Sequence, residues 1–179
     1  MAFNSRFEPL VAQCEQKIGH TFTDKLLSAQ SVNNAAGANA FDVFNGKFEL
    51  IPKNDRLAIY GDSVMASILS KDWYHGGSDK AAWTSIRNNV LSNDSLAKTG
   101  FDFGLDTCIN THAGTTAVSK KMMATAVEAI LGAVHLDGGD NALRRVMGHL
   151  GLISQDDLSV MFKPPFSPLA YRSDAIYSR

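Results

Sequence analysis

Cysteine is nearly missing from this chain of 179 residues: only Cys14 and Cys108 occur. That excludes a disulfide framework, and the spacing of the pair matches no zinc motif, so both read as reduced thiols of an intracellular protein. A charge surplus is missing too. Seventeen Lys and Arg stand against 18 Asp and Glu, a formal net charge of −1, so any nucleic-acid contact has to come from local clusters of Lys and Arg. No apolar run approaches the roughly 20 residues that a membrane span needs. A signal-peptide apolar region is absent as well, and Glu8 and Glu15 beside a single Arg argue against a mitochondrial transit peptide, although that location stays open. The expected location is intracellular, cytoplasmic or nuclear. There is no internal repeat. Proline is scarce, five in all, and Pro164, Pro165 and Pro168 lie together near the C-terminus.

What the chain does have is apolar material, 45% of its residues, enough for one core and too little for two. The expected division is a globular domain over 1–153 and a proline-containing tail over 154–179, loose or docked by Phe162 and Phe166. Leu10, Val11, Cys14 and Ile18 step by three and four before Gly19, which predicts a first helix from Phe7 to Ile18. Thr23 or Asp24 caps a second helix from Lys25. Residues 33–53 read as a loop with a strand-like patch over Phe41 to Leu50, and Asn54 as the cap of a helix from Asp55 to about Leu69, closed by Trp73 and Tyr74. Further helices are expected through Trp83 to Leu91 and from Leu96 to Gly104, with Asn93-Asp94-Ser95 as a break between them. Ser119 caps a long apolar helix that Asp137-Gly138-Gly139 ends, and a last helix covers Asn141 to Leu150. The fold class is all-α.

The helix after Asn54 carries the chemistry. At about 100° per residue, Asp55, Ala58 and Asp62 share one face, beside a buried stripe of Leu57, Tyr60, Val64 and Ile68. The later run Met122 to Ala133 is strongly apolar with a single charge, Glu128. Carboxylates beside a core suit a metal-assisted site. The alternative for Glu128 is a structural acid satisfied by Lys120, Lys121 or a serine hydroxyl.

Four blocks resemble the ribonuclease III family. Residues 54–64, Asn-Asp-Arg-Leu-Ala-Ile-Tyr-Gly-Asp-Ser-Val, are similar to its signature Asn-Glu-Arg-Leu-Glu-Phe-Leu-Gly-Asp. Residues 18–27, 90–97 and 128–139 resemble its opening helix junction, its Leu-Val-Ser-Asn-Lys-Thr-Leu-Ala segment and its Glu-Ala-Leu-Ile-Gly-Ala-Leu-Tyr-Leu-Asp-Gly-Gly block. The resemblance implies the helical ribonuclease III endonuclease fold and a homodimer. It also implies a valley that takes double-stranded or structured RNA, and Mg²⁺ or Mn²⁺ held by acidic side chains for phosphodiester hydrolysis. It assigns Asp62 and Glu128 as metal ligands and catalytic acids, with Asp55 as a helper.

Two family ligand positions depart from the pattern. One is Ala58, with no donor atom; the other is Thr125, which can reach a metal only through water. Mg²⁺ tolerates several waters in its octahedron, so the remaining acids could still hold one, more weakly. The resemblance therefore leaves three outcomes open: an active endonuclease, a non-catalytic RNA-binding or ribosomal scaffold that keeps the fold, or half of a heterodimer with a complete paralogue. Among the basic residues Lys71, Lys80, Arg87, Lys98, Lys120, Lys121, Arg144 and Arg145, the pairs Lys120-Lys121 and Arg144-Arg145 are the first candidates for phosphate contact. Ile59 stands where the family often has a phenylalanine that crosses the dimer interface. The residues after Ser154 are too few for the double-stranded-RNA-binding domain of about 70 residues that bacterial members append, so a minimal, single-domain member is expected.

Overall fold

A computed structural model describes residues 5–44 and 47–153; the expected C-terminal tail lies outside them. Six α-helices carry the fold: α1 (Phe7–Ile18), α2 (Lys25–Val32), α3 (Asp55–Gly76), α4 (Lys80–Asn89), α5 (Asn93–Asp102) and α6 (Lys120–His149). A small antiparallel hairpin, β1 (Phe41–Phe44) and β2 (Lys47–Leu50), pairs Phe41 with Leu50 and Val43 with Phe48. It is the strand-like patch of the sequence in full form.

The molecule is built around α6. From Met123 to Val134 its side chains are almost continuously buried, with Ile130 and Leu131 at 0% exposure, as expected of a helix apolar on all sides. Each of its large side chains, Met123, Val127, Ile130, Leu131 and Val134, contributes about 1.5–3 kcal/mol by leaving water. The helices α2, α3 and α5 pack around it, and α1 closes the core with Phe7, Val11, Cys14 and Ile18. Cys14 and Cys108 are both buried and free. Among the described residues no helix is long and apolar enough to cross a membrane.

Several boundaries differ from the sequence reading. Trp73 and Tyr74 do not close α3, which continues to Gly76 because Ile68, Leu69, Asp72 and Gly76 extend its buried face; Gly77 stops it at φ 67°. Asn93-Asp94-Ser95 is no break: Ser92 accepts the Ser95 N–H, so those three residues form the first turn of α5. Asn54 caps nothing with its side chain. It is fully buried, donates to the Ser31 carbonyl at 3.3 Å and accepts from Asn34. Asp137-Gly138-Gly139 does end a helix, as the sequence predicts: Gly139 leaves the helical conformation at φ 68°, ψ −168°, and α6 is two helical segments joined across that kink. Asp137 also accepts the N–H groups of Thr23 and Asp24 and bonds His20, which ties this break to the turn before α2.

The hairpin braces the N-terminus. The buried Asp42 carboxylate accepts from the Ser5 hydroxyl at 2.7 Å and the Phe7 N–H at 2.8 Å, capping α1 from another element. Burial raises its proton affinity, but these hydrogen bonds outweigh burial and hold the carboxyl below its ordinary value.

Candidate active site

The site lies where α3 crosses α6. Two glycines let the backbones touch: a Cβ on Gly61 would fall 1.9 Å from the Glu128 carbonyl oxygen, and one on Gly132 would fall 2.6 Å from the Leu57 carbonyl oxygen. No larger residue fits either position without separating the helices. The close crossing brings Asp62, next to Gly61, beside the side chain of Glu128.

Asp62 is exposed and Glu128 half-buried. Burial first, and then the facing Asp62 charge, push the Glu128 carboxyl up to about 7. Among the described residues no hydrogen bond or ion pair offsets that cost, and Lys120, a partner envisaged for it, lies instead 3.6 Å from Asp94. The structural-acid reading thus loses the one lysine whose partner is defined.

The other sequence candidates are dispersed around this pair. Asp55 begins α3, exposed and 3.0 Å from Lys53. Ala58, one turn before Asp62, is 4% exposed and presents only a methyl group; Thr125, one turn before Glu128, is half-buried. No group of three or more His, Cys, Asp or Glu able to hold a metal ion is found among the described residues. Ile59 is 72% exposed, a large apolar side chain in water. Lys121 and Arg145 are exposed. Arg144 is committed elsewhere: its guanidinium grips Asp72 on α3 through two nitrogens, one at 2.9 Å. It is therefore a structural clamp before it is a phosphate contact.

Two features escaped the sequence reading. Tyr60 Oη shares a 2.7 Å hydrogen bond with His135 Nδ1, and His135 Nε2 lies 2.9 Å from Asp140 Oδ1, a chain that braces both sides of the Gly139 break. Asp62 also lines a groove of about 740 Å³ with α4, whose contributions include Lys80, Trp83, Thr84, Arg87 and Asn88. Lys80 and Arg87 were visible as basic residues, but only the fold shows that they share a groove with Asp62.

Comparisons with known proteins agree with this architecture. The profile of the Ribonuclease-III-like family matches residues 41–153. Ribonuclease 3 of Caldanaerobacter subterraneus is 30% identical over 144 residues, covering 77% of this chain and 60% of its own length. Ribonuclease 3 of Vibrio atlanticus is 27% identical, covering 76% of this chain and 58% of its own length. The chain thus spans about three-fifths of the length of these relatives. The nuclease domain of ribonuclease III from Campylobacter jejuni superposes with a TM-score of 0.63 at 19% identity, covering 78% of this chain and 95% of that domain. A profile that runs from the hairpin to the end of the last helix, joined to a shared helical fold, makes this chain a member of the ribonuclease-III-like family.

Proposed function

We propose that this protein is an endoribonuclease of the ribonuclease III type, cutting double-stranded or structured RNA in RNA processing inside the cell. The observation that carries the reading is the meeting of the exposed Asp62 and the half-buried Glu128 at the Gly61–Gly132 crossing, where neither carboxylate makes an ion pair among the described residues. Two like charges held together without a partner are costly, and a cation is what would relieve them.

The donors fit a hydrated Mg²⁺ or Mn²⁺ held by Asp62 and Glu128, with Thr125 reaching it through water, and they do not form a closed cage. Such an ion would supply an activated water and charge neutralisation at the scissile phosphate. In its absence Glu128, at about 7, can hold or release a proton near neutral pH. Asp62 presents its carboxylate to the groove through which a substrate would arrive. Asp55 acts at most as a helper at the rim, since it faces Lys53. Ile59, exposed on the helix that carries Asp62, is the proposed contact with a second copy, which would complete an RNA valley.

A second reading, a non-catalytic RNA-binding or scaffolding role, is favoured by the methyl group of Ala58 and by the absence of a three-ligand cluster among the described residues. Incubation of a long RNA duplex with the full chain in Mg²⁺ or Mn²⁺ decides between them. Cleavage that Asp62→Asn lowers at least about a hundredfold supports the enzyme. Equal residual cleavage by both proteins removes it. If the wild type is inert, Ala58→Glu with Thr125→Asp is expected to restore cutting where only ligands have been lost.

A further inference from the structure

We propose that Lys80 and Arg87 on α4 form a phosphate clamp that holds one strand of an RNA duplex against Asp62. The proposal rests on the RNA reading above and adds to it a contact surface that the signature blocks do not contain.

The first observation is how the cations are distributed. Several basic side chains are engaged by acids: Lys25 with Glu15 at 2.5 Å, Lys53 with Asp55 at 3.0 Å, Lys120 with Asp94 at 3.6 Å, Lys98 with Asp102, and Arg144 with Asp72. Lys80 and Arg87 are exposed and take part in no ion pair among the described residues. An unpaired cation on a helix is ordinarily just a solvated charge. These two are set apart by lining the same concave groove, of about 740 Å³, in which Asp62 is the acid. Two cations against one carboxylate leave that groove net positive, on a protein whose formal net charge is −1. A cleft of one sign concentrates counter-ions of the other.

The second observation is the geometry of the groove. Lys80 and Arg87 are two turns apart, about 10.5 Å along the helix axis, so they reach separate phosphates of one strand rather than chelating a single anion. Thr84 and Asn88 lie on the same face between and beyond them and offer neutral hydrogen-bonding groups. The groove is also firmly placed. The Trp83 ring packs against Trp73 of α3 with centroids 5.8 Å apart, and Trp73 Nε1 donates to the Asp79 carbonyl, at the cap of α4, at 2.8 Å. The cations are thereby fixed relative to the helix that bears Asp62. A phosphodiester approaching Asp62 meets a like charge, and the clamp supplies the offsetting positive charge from the far wall.

The test is binding of a fluorescently labelled RNA duplex by the full chain in EDTA, read by anisotropy across a salt series. Lys80→Gln and Arg87→Gln are each expected to flatten the dependence of log K on log salt by about 0.9. Between about 50 and 200 mM salt, the affinity lost then shrinks about 3.5-fold for each residue removed. Lys98→Gln, which removes the same charge outside the groove, is expected to leave the slope unchanged, and thermal melts confirm that all variants are folded. A Lys80→Gln/Arg87→Gln double variant with wild-type slope and affinity overturns the clamp while leaving the RNA reading intact. Absence of duplex binding by the wild type overturns both.

Discussion

Asp62 and Asp72 stand on the same helix and face the same partner, α6, yet they are treated in opposite ways. Asp72 is 8% exposed and held by the two-pronged grip of Arg144, which balances its charge and satisfies both oxygens. Asp62 faces another carboxylate, Glu128, and neither makes an ion pair among the described residues; Lys80 and Arg87 only share the groove that Asp62 lines. One end of the α3–α6 contact is thus organised for stability, and the other carries a cost in stability that only a ligand would repay. Their difference separates the acid held by a guanidinium, Asp72, from the acid proposed to be functional, Asp62.

The comparison is broken most severely at the crossing itself. Gly61→Ala forces a Cβ to within 1.9 Å of the Glu128 carbonyl oxygen, and is expected to cost about 3 kcal/mol or more in urea denaturation, or to prevent folding. A loss under about 1 kcal/mol would show that the helices can part freely. Next in size, Arg144→Ala leaves the Asp72 carboxylate without its guanidinium and is expected to cost about 2 kcal/mol, reduced from the fully buried case by the partial exposure of Arg144. The same variant is expected to change RNA affinity little, since Arg144 is already engaged.

The smallest expected effect is the most diagnostic. The Glu128 carboxyl stands at about 7 in the folded chain against an ordinary 4.5. Between those values the folded state keeps a proton that the unfolded chain gives up, so wild-type stability falls as pH rises through this window. Glu128→Gln removes that fall. Its advantage over wild type is expected to grow from pH 5 to pH 8 by about 1 kcal/mol, after discounting for the exposed half of the side chain. Mg²⁺ is expected to raise the melting temperature of the wild type at pH 8 and not that of the variant.

Much of this molecule was legible before its structure. The stripe at Val11, Cys14 and Ile18 gave α1 to the residue, and the apolar run around Glu128 announced the central helix. Turn chemistry was read less well. Asn93-Asp94-Ser95 looks like a break because each residue favours turns, but the same side chains suit a first helical turn once Ser92 caps it. Asn54 looks like a cap because nothing local reveals that Ser31 and Asn34 will be beside it. The same limit applied at the site. The resemblance identified Asp62 and Glu128 one at a time, whereas the engagement of Arg144 by Asp72 and the arrival of α4 next to Asp62 depend on residues far apart in the chain. Pairing between distant side chains has no periodicity to betray it.

The Asp42 clamp bears on where this unit can be cut. The family profile begins at residue 41, the first residue of the hairpin, so it is tempting to treat 41–153 as the portable part. Yet the donors that hold the buried Asp42 carboxylate are Ser5, Arg6 and Phe7, and the wall of the core beside them is α1. Excising 41–153 alone would leave the Asp42 carboxylate without these donors and open the core on one side. What the family profile spans is therefore smaller than what must fold together, and a transplant of this nuclease-like body into another protein has to include Ser5 to Phe7.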